Sequence, residues 1–204
     1  MASKTPAGSS AAAKGDSGQP EPALRADARR NRARVLEVAA RTFADEGLSV
    51  PVHEIARRAG VGTGTVSRHF PAKEDLFAAI LLSRMEQLAG AADALTQEQD
   101  PGSAFFTYFG TLVREGAANR GLAEALAGAG YGLEDAAVRA GFDVTGRLRE
   151  LLNRAQQAGA VRAEIDFADV KALLAGCLTR EGGDSAALDR IITVVCDGLR
   201  PQPA

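Results

Sequence analysis

The sequence predicts an all-α protein of about nine helices, and three observations predict it. Alanine and leucine, both strong helix formers, dominate the composition, and runs of β-branched residues are few. Apolar residues recur at helical spacing in segment after segment, beginning with Val35, Leu36, Ala39, Ala40 and Phe43. Glycine and proline punctuate those segments, at Gly47, Gly60, Pro71, Pro101 and Gly159, where helices stop and start.

Residues 1–23 are rich in Ala, Ser, Gly and Pro and carry no apolar run, which predicts a disordered tail and not a secretory leader. A first helix is expected over Leu24–Glu46, stopped by Gly47. A short second helix opens at Pro51 and ends at Gly60, with Ile55 and Ala59 one turn apart on its inner face. Val61 in the following turn is placed to plug the core. A third helix is expected over Thr63–Phe70, with Val66 and Phe70 inward. Its other face then presents Thr63, Gly64, Thr65, Ser67, Arg68 and His69. A long fourth helix opens at Pro71 and Lys73 and carries Leu76, Phe77, Ile80 and Leu81. Asp100-Pro101-Gly102 separates it from a fifth bearing Phe105, Phe106, Tyr108, Phe109 and Leu112. Four more follow, over Leu122–Gly128, Leu133–Ala158, Phe167–Arg180 and Ser185–Leu199. Glu181-Gly182-Gly183 parts the last two.

The formal charge of −2 conceals an asymmetry. Residues 1–80 carry a net +3 and residues 81–204 a net −5, and between 25 and 73 ten basic residues face five acidic ones. A basic unit on an acidic remainder points to a polyanion contact at one end. Arg25, Arg29, Arg30, Arg32 and Arg34 either track that polyanion or form a solvated helix face. No apolar run is long enough to span a bilayer, and Cys177 and Cys196 sit in apolar helical surroundings as buried reduced thiols. Both features predict a cytoplasmic, nucleoid-associated protein.

Several chemistries are excluded on spacing. His53 and His69 have no further ligand nearby, so no metal is expected. "GVGTG" follows a helix and lacks the GK[ST] ending of a phosphate loop. Ser185 has no histidine partner, and Glu124, Glu134, Asp135 and Asp143 form no catalytic pair. No enzyme activity and no cofactor are expected.

Two short helices joined by a glycine-containing turn, after a longer one, make a helix-turn-helix. In such a unit the second helix enters the DNA major groove. That accounts for the crowd of small residues in "GVGTGTVSRHFPAKEDLF". Glycine permits close approach of backbone to phosphate, while Thr63, Thr65, Ser67, Arg68 and His69 offer hydrogen bonds or methyl groups, and Lys73 adds a charge. Gly64 inside a helix costs about 1 kcal/mol against alanine, which stability alone would not select.

The stretch "RARVLEVAARTFADEGLSVPVHEIARRAGVGTGTVSRHFPAKEDLF", Arg32 to Phe77, closely resembles the DNA-binding domain of the TetR/AcrR family of transcriptional regulators. The resemblance rests on Phe43, Gly47, Ile55-Ala56, Ala59-Gly60-Val61, Gly64-Thr65, His69-Phe70 and Lys73. It implies base and phosphate contacts at His53, Thr63, Gly64, Thr65, Ser67, His69 and Lys73. Ser67 stands where the family usually has tyrosine, and Gly62 where it often has a capping serine. More weakly, "VREGAANRGLAEAL" and "LRELLNRAQQAGAVRAEIDFADVKALLAG" are similar to an actinobacterial subgroup.

The resemblance divides the chain into a DNA-binding domain over 24–74 and a ligand-binding and dimerisation domain over 75–200. Phe105, Phe106, Phe109, Tyr131 and Phe142 are the candidates for a cavity holding a small, largely apolar inducer, with core packing as the competing role. Leu173, Leu174, Cys177, Leu188, Ile191, Ile192 and Val195 are the candidates for a homodimer interface. The function implied is a ligand-released repressor bound as a dimer to a palindromic operator of double-stranded DNA. The alternative is a constitutive or protein-gated DNA-binding dimer without an inducer. A roomy apolar cavity in the second domain separates the two.

Overall fold

A computed structural model describes residues 21–179 and 185–201, with side chains from residue 26. Of the tail expected over 1–23, residues 1–20 lie outside the described residues, as does the Glu181-Gly182-Gly183 break, while residues 21–23 belong to the first helix instead. Ten helices and no strand are found among those described: α1 Glu21–Glu46, α2 Val52–Ala59, α3 Thr63–His69, α4 Lys73–Glu98, α5 Pro101–Ala118, α6 Arg120–Gly128, α7 Leu133–Arg139, α8 Val144–Gln157, α9 Phe167–Leu178 and α10 Ser185–Leu199. The all-α expectation holds.

The helix boundaries follow local chemistry. Gly47 and Gly60 take φ of +84° and +68°, the left-handed conformation that ends α1 and α2. Beyond Gly60 the Val61 N–H donates to the Ala56 carbonyl at 3.0 Å, closing the last turn of α2. Asp100 begins α5 by accepting from the Ser103 N–H at 3.0 Å, with Pro101 behind it. Asp166 and Asp169 cap α9 reciprocally, at 2.8 and 3.0 Å.

One expected helix is two. The single helix over Leu133–Ala158 breaks after Arg139. Gly141 takes φ of +85°, the Phe142 N–H donates to the Ala137 carbonyl at 2.8 Å, and Asp143 accepts from the Gly146 N–H at 2.7 Å to start α8. "AGFD" therefore holds a glycine stop and an aspartate start that the apolar period runs straight across. Pro51, expected in the first turn of α2, instead sits just before it as a cap with no side-chain hydrogen bond.

The apolar faces gather into two cores. The first joins Val35, Ala39 and Phe43 of α1 with Ile55, Val66, Phe70, Leu76, Phe77 and Ile80, and Val61 packs against it. Phe43 and Phe77 meet edge to face, ring centroids 5.1 Å apart. Leu122 and Leu126 of α6 close this same core although they come much later in the chain. The second core surrounds α5, whose Phe105, Tyr108, Phe109 and Val113 pack with residues of α8, α9 and α10. α4 serves both: its first turns lie in one core and Ala92 in the other. At 1.5 Å per residue its 26 residues span roughly 39 Å.

Candidate nucleic-acid interface and neighbouring cavity

α3 is anchored on one side and open on the other. Val66 and Phe70 are buried in the first core, and the Phe70 N–H donates to the Val66 carbonyl at 2.8 Å. Thr63, Gly64, Thr65, Ser67, Arg68 and His69 are all exposed, as is His53 on α2. No hydrogen bond or ion pair to another described residue occupies the side chains of Thr63, Thr65, Ser67 or Arg68. The expected face is thus presented whole, with its donors free. A Cβ added to Gly64 would meet nothing within 4 Å, so no internal contact requires a glycine there. At the helix start Gly62 supplies no side-chain cap.

Lys73 is half-buried at the start of α4. Its Nζ lies 5.6 Å from the Phe43 ring centroid and 5.9 Å from that of Phe77, which holds the ammonium beside the end of α3. The Asp75 carboxylate accepts from the Ala72 N–H at 2.8 Å and fixes that helix start. Arg32 of α1 is also near, its guanidinium carbon 5.8 Å from the Phe70 ring.

The basic residues of α2 are committed elsewhere. Arg57 holds both oxygens of Glu54, at 2.8 and 2.7 Å, and Arg58 donates to Glu54 at 2.7 Å and to Glu46 of α1. The Arg57 hydrogen bonds first, and those of Arg58 next, hold the Glu54 carboxyl down at about 2, and Glu46 is lowered by Arg58. Two of the ten basic charges counted in the sequence are therefore committed within the fold, Arg57 inside α2 and Arg58 bracing α2 against α1. Glu54 three and four residues ahead of them was the available signal.

Behind the first core lies a partly open cavity of about 390 Å³, walled mainly by α4, α5, α8 and α9. Leu81 and Leu88 of α4, Leu112 of α5, Leu148 of α8, and Phe167 and Leu174 of α9 belong to its wall, which is predominantly apolar. Arg84, Glu115, Asn119, Thr145 and Lys171 supply the polar groups. Gly116 lets α9 close in on α5, since a Cβ there would lie 2.9 Å from Leu178 Cδ2.

Comparison with known proteins decides the family. Residues 35–80 match the model for bacterial regulatory proteins of the tetR family, and residues 100–201 that for the transcriptional regulator SbtR-like C-terminal domain. A TetR regulator of Mycobacterium vanbaalenii is 49% identical over 87% of this chain and 99% of its own, with a TM-score of 0.71. The chain belongs to the TetR family.

A second TetR-family structure, from Streptomyces coelicolor, is 30% identical over 84% of this chain and 99% of its own, with a TM-score of 0.70. An HTH-type transcriptional regulator of Staphylococcus aureus is 43% identical over 54 residues, and the match spans only 29% of that protein. A TetR-family chain is a DNA-binding transcription regulator and not an enzyme. No helix among the described residues is long and apolar enough to cross a membrane, and no cluster of metal ligands is found among them.

Within this TetR-family fold most of the residues expected at a ligand or dimer surface pack in or against the second core. Phe105, Phe106 and Phe109 are buried in the second core, rings 5.3 and 6.3 Å apart, and none lines the cavity. Tyr131 is 38% exposed and Phe142 half-buried, and neither lines it. The aromatic side chains of α5 fill the second core, and leucines from five helices, with Phe167, line the cavity. Cys177 and Ile192 are buried within their own subunit, and Leu173, Leu174, Leu188, Ile191 and Val195 are half-buried against the same core. Leu174 also lines the cavity. The large apolar side chain that α10 turns outward is Val194, 70% exposed, which sequence periodicity left unnamed.

Proposed function

We propose that this TetR-family regulator is a repressor, bound as a homodimer to a palindromic operator and released by a small, largely apolar ligand. The carrying observation is the course of α4. It starts at Lys73, beside the exposed face of α3, and runs on through Leu81, Arg84, Met85 and Leu88 in the wall of the cavity. One rigid element thus touches both the DNA-binding unit and the space for a ligand.

In the bound state the two recognition helices of the dimer read successive major grooves, about 34–36 Å apart. Thr63, Gly64, Thr65 and Ser67 approach the base edges, while Lys73 and the arginines of α1 contact phosphate. His53, Arg68 and His69 flank the reading face and donate to the backbone. A ligand that shifts α4 by a few ångströms misplaces one helix of the pair, and one half-site is lost. The cavity favours this reading over a constitutive dimer, because its largely apolar wall is left uncovered by the subunit's own side chains and offers room for an apolar ligand.

The experiment is a reciprocal titration. An operator is first selected from random duplexes, and ligand affinity is then measured with and without it. Operator must weaken the ligand by the same factor by which ligand weakens operator, and a hundredfold effect corresponds to about 2.7 kcal/mol. Tight ligand binding that ignores the operator would refute release and leave the constitutive reading.

A further inference from the structure

The cavity wall carries charge that the subunit does not neutralise. Arg84 of α4 and Lys171 of α9 both line it. Arg84 donates from Nη1 to Gln87 Oε1 at 2.9 Å, an uncharged partner. Arg57, Arg58, Arg114 and Arg147 are each matched with a carboxylate, but among the described residues neither Arg84 nor Lys171 is. Glu115 is the acid in the wall, its Oε2 accepting from Asn119 Nδ2 at 3.2 Å, so against Arg84 and Lys171 the wall keeps one positive charge in excess. The Thr145 hydroxyl is likewise occupied, donating to Glu134 at 3.0 Å.

Arg84 also lies at a second place. It lines a polar cleft of about 370 Å³ between α1 and α4, together with Glu37, Arg41 and Gln87. Glu37 is paired there with Arg41 at 3.3 Å, so it is not free to neutralise Arg84. One guanidinium therefore borders both the ligand cavity and the DNA-binding domain's own cleft.

We propose that the ligand is an amphipathic carboxylic acid, its apolar body among Leu81, Leu88, Leu112 and Leu148 and its carboxylate between Arg84 and Lys171, and that Arg84 relays occupancy to the α1–α4 cleft. This rests on the ligand-release reading above. A guanidinium fork binds a carboxylate through two charge-assisted hydrogen bonds. A neutral ligand leaves both cations unmatched, and a cationic one adds repulsion. At about 30 Å³ per water-sized group the cavity holds roughly a dozen heavy atoms, the size of a ten-carbon acid.

The test is calorimetric titration of the full chain with decanoate, 1-decanol and decylamine, which share one alkyl chain. Decanoate is expected to bind at least about tenfold tighter than decanol, and decylamine weakest. Arg84→Gln and Lys171→Gln together should bring decanoate to the level of decanol, with the melting temperature of each variant recorded to show that it is folded. Of the single variants, both should weaken decanoate, but only Arg84→Gln should leave operator affinity insensitive to saturating decanoate. Equal binding of decanoate and decanol overturns the carboxylate assignment and leaves the apolar-ligand reading standing. Absence of binding by all three overturns both. Release of operator from Arg84→Gln by saturating decanoate overturns the relay.

Discussion

Arg147 of α8 grips Asp93 of α4 through both carboxylate oxygens, each at 3.0 Å, and Nε also donates to the Ala89 carbonyl at 3.2 Å. The fork ties α8 across α4 just beyond Leu88, where α4 leaves the cavity wall. Arg147→Met keeps the packing of the side-chain stem and removes the fork. Because the pair is partly exposed, the expected loss is about 1 kcal/mol, or about 2–4 °C in melting temperature. Asp93→Asn should cost a similar amount, and the double variant little more. Strictly additive losses would show that the two residues do not act as a pair.

Thr65→Ala and His69→Ala are expected to weaken operator binding without lowering the melting temperature, because both side chains are exposed. Lys73→Ala should weaken every duplex about equally and reduce the salt dependence of binding by roughly one counterion. A melting temperature far below the parent for Thr65→Ala would make that residue structural instead.

Gly64→Ala separates stability from recognition. The space around its Cα is empty, so alanine should add about 1 kcal/mol of helix stability and raise the melting temperature by about 2–4 °C. In the proposed complex the same methyl comes between the α3 backbone and the DNA, and operator affinity should fall. A variant that is both more stable and equally tight would remove close backbone approach from the recognition scheme.

Burial separates two residues of α10 as tests of the dimer. Ile192 is 6% exposed within one subunit, so Ile192→Glu is expected to unfold the domain, a buried unpaired charge costing several kcal/mol. Val194→Asp should leave the fold intact and yield monomers. Sedimentation and circular dichroism of the two variants together distinguish these outcomes.

Acid should loosen the helix-turn-helix through Glu54. Its carboxyl is held at about 2 in the folded chain, below its ordinary 4.5, by Arg57 and Arg58. A depressed folded value contributes stability above about pH 4.5, and that contribution is lost as pH falls toward about 2. Glu54→Gln should therefore melt earlier at neutral pH and lose less on acidification. Melting curves recorded down to about pH 2 measure both effects.

The DNA-binding unit was legible because its signals are local. Gly60 ends α2, Val66 and Phe70 lie one turn apart, and the residues left over must face outward. The break between α7 and α8 was also written locally, in "AGFD", but an apolar period that continues through it masks the stop. The cavity was not legible, because its wall draws single leucines from helices far apart in the chain. An aromatic cluster in one segment says that something there is buried, not whether it faces a ligand or a core. The same limit applies to Ile192, whose apolar face is half of a pairing that only the fold specifies.

Leu122 and Leu126 reach back from α6 into the core under the recognition helix. A chimera that transplants residues 24–74 onto another regulator's body would leave two leucine-sized gaps beneath α1 and α4. Exchange of operator specificity between relatives must then carry α6 along, or supply equivalent leucines on the recipient. The unit that can be inherited as a whole is discontinuous, and a cut at the end of α3 is not a seam.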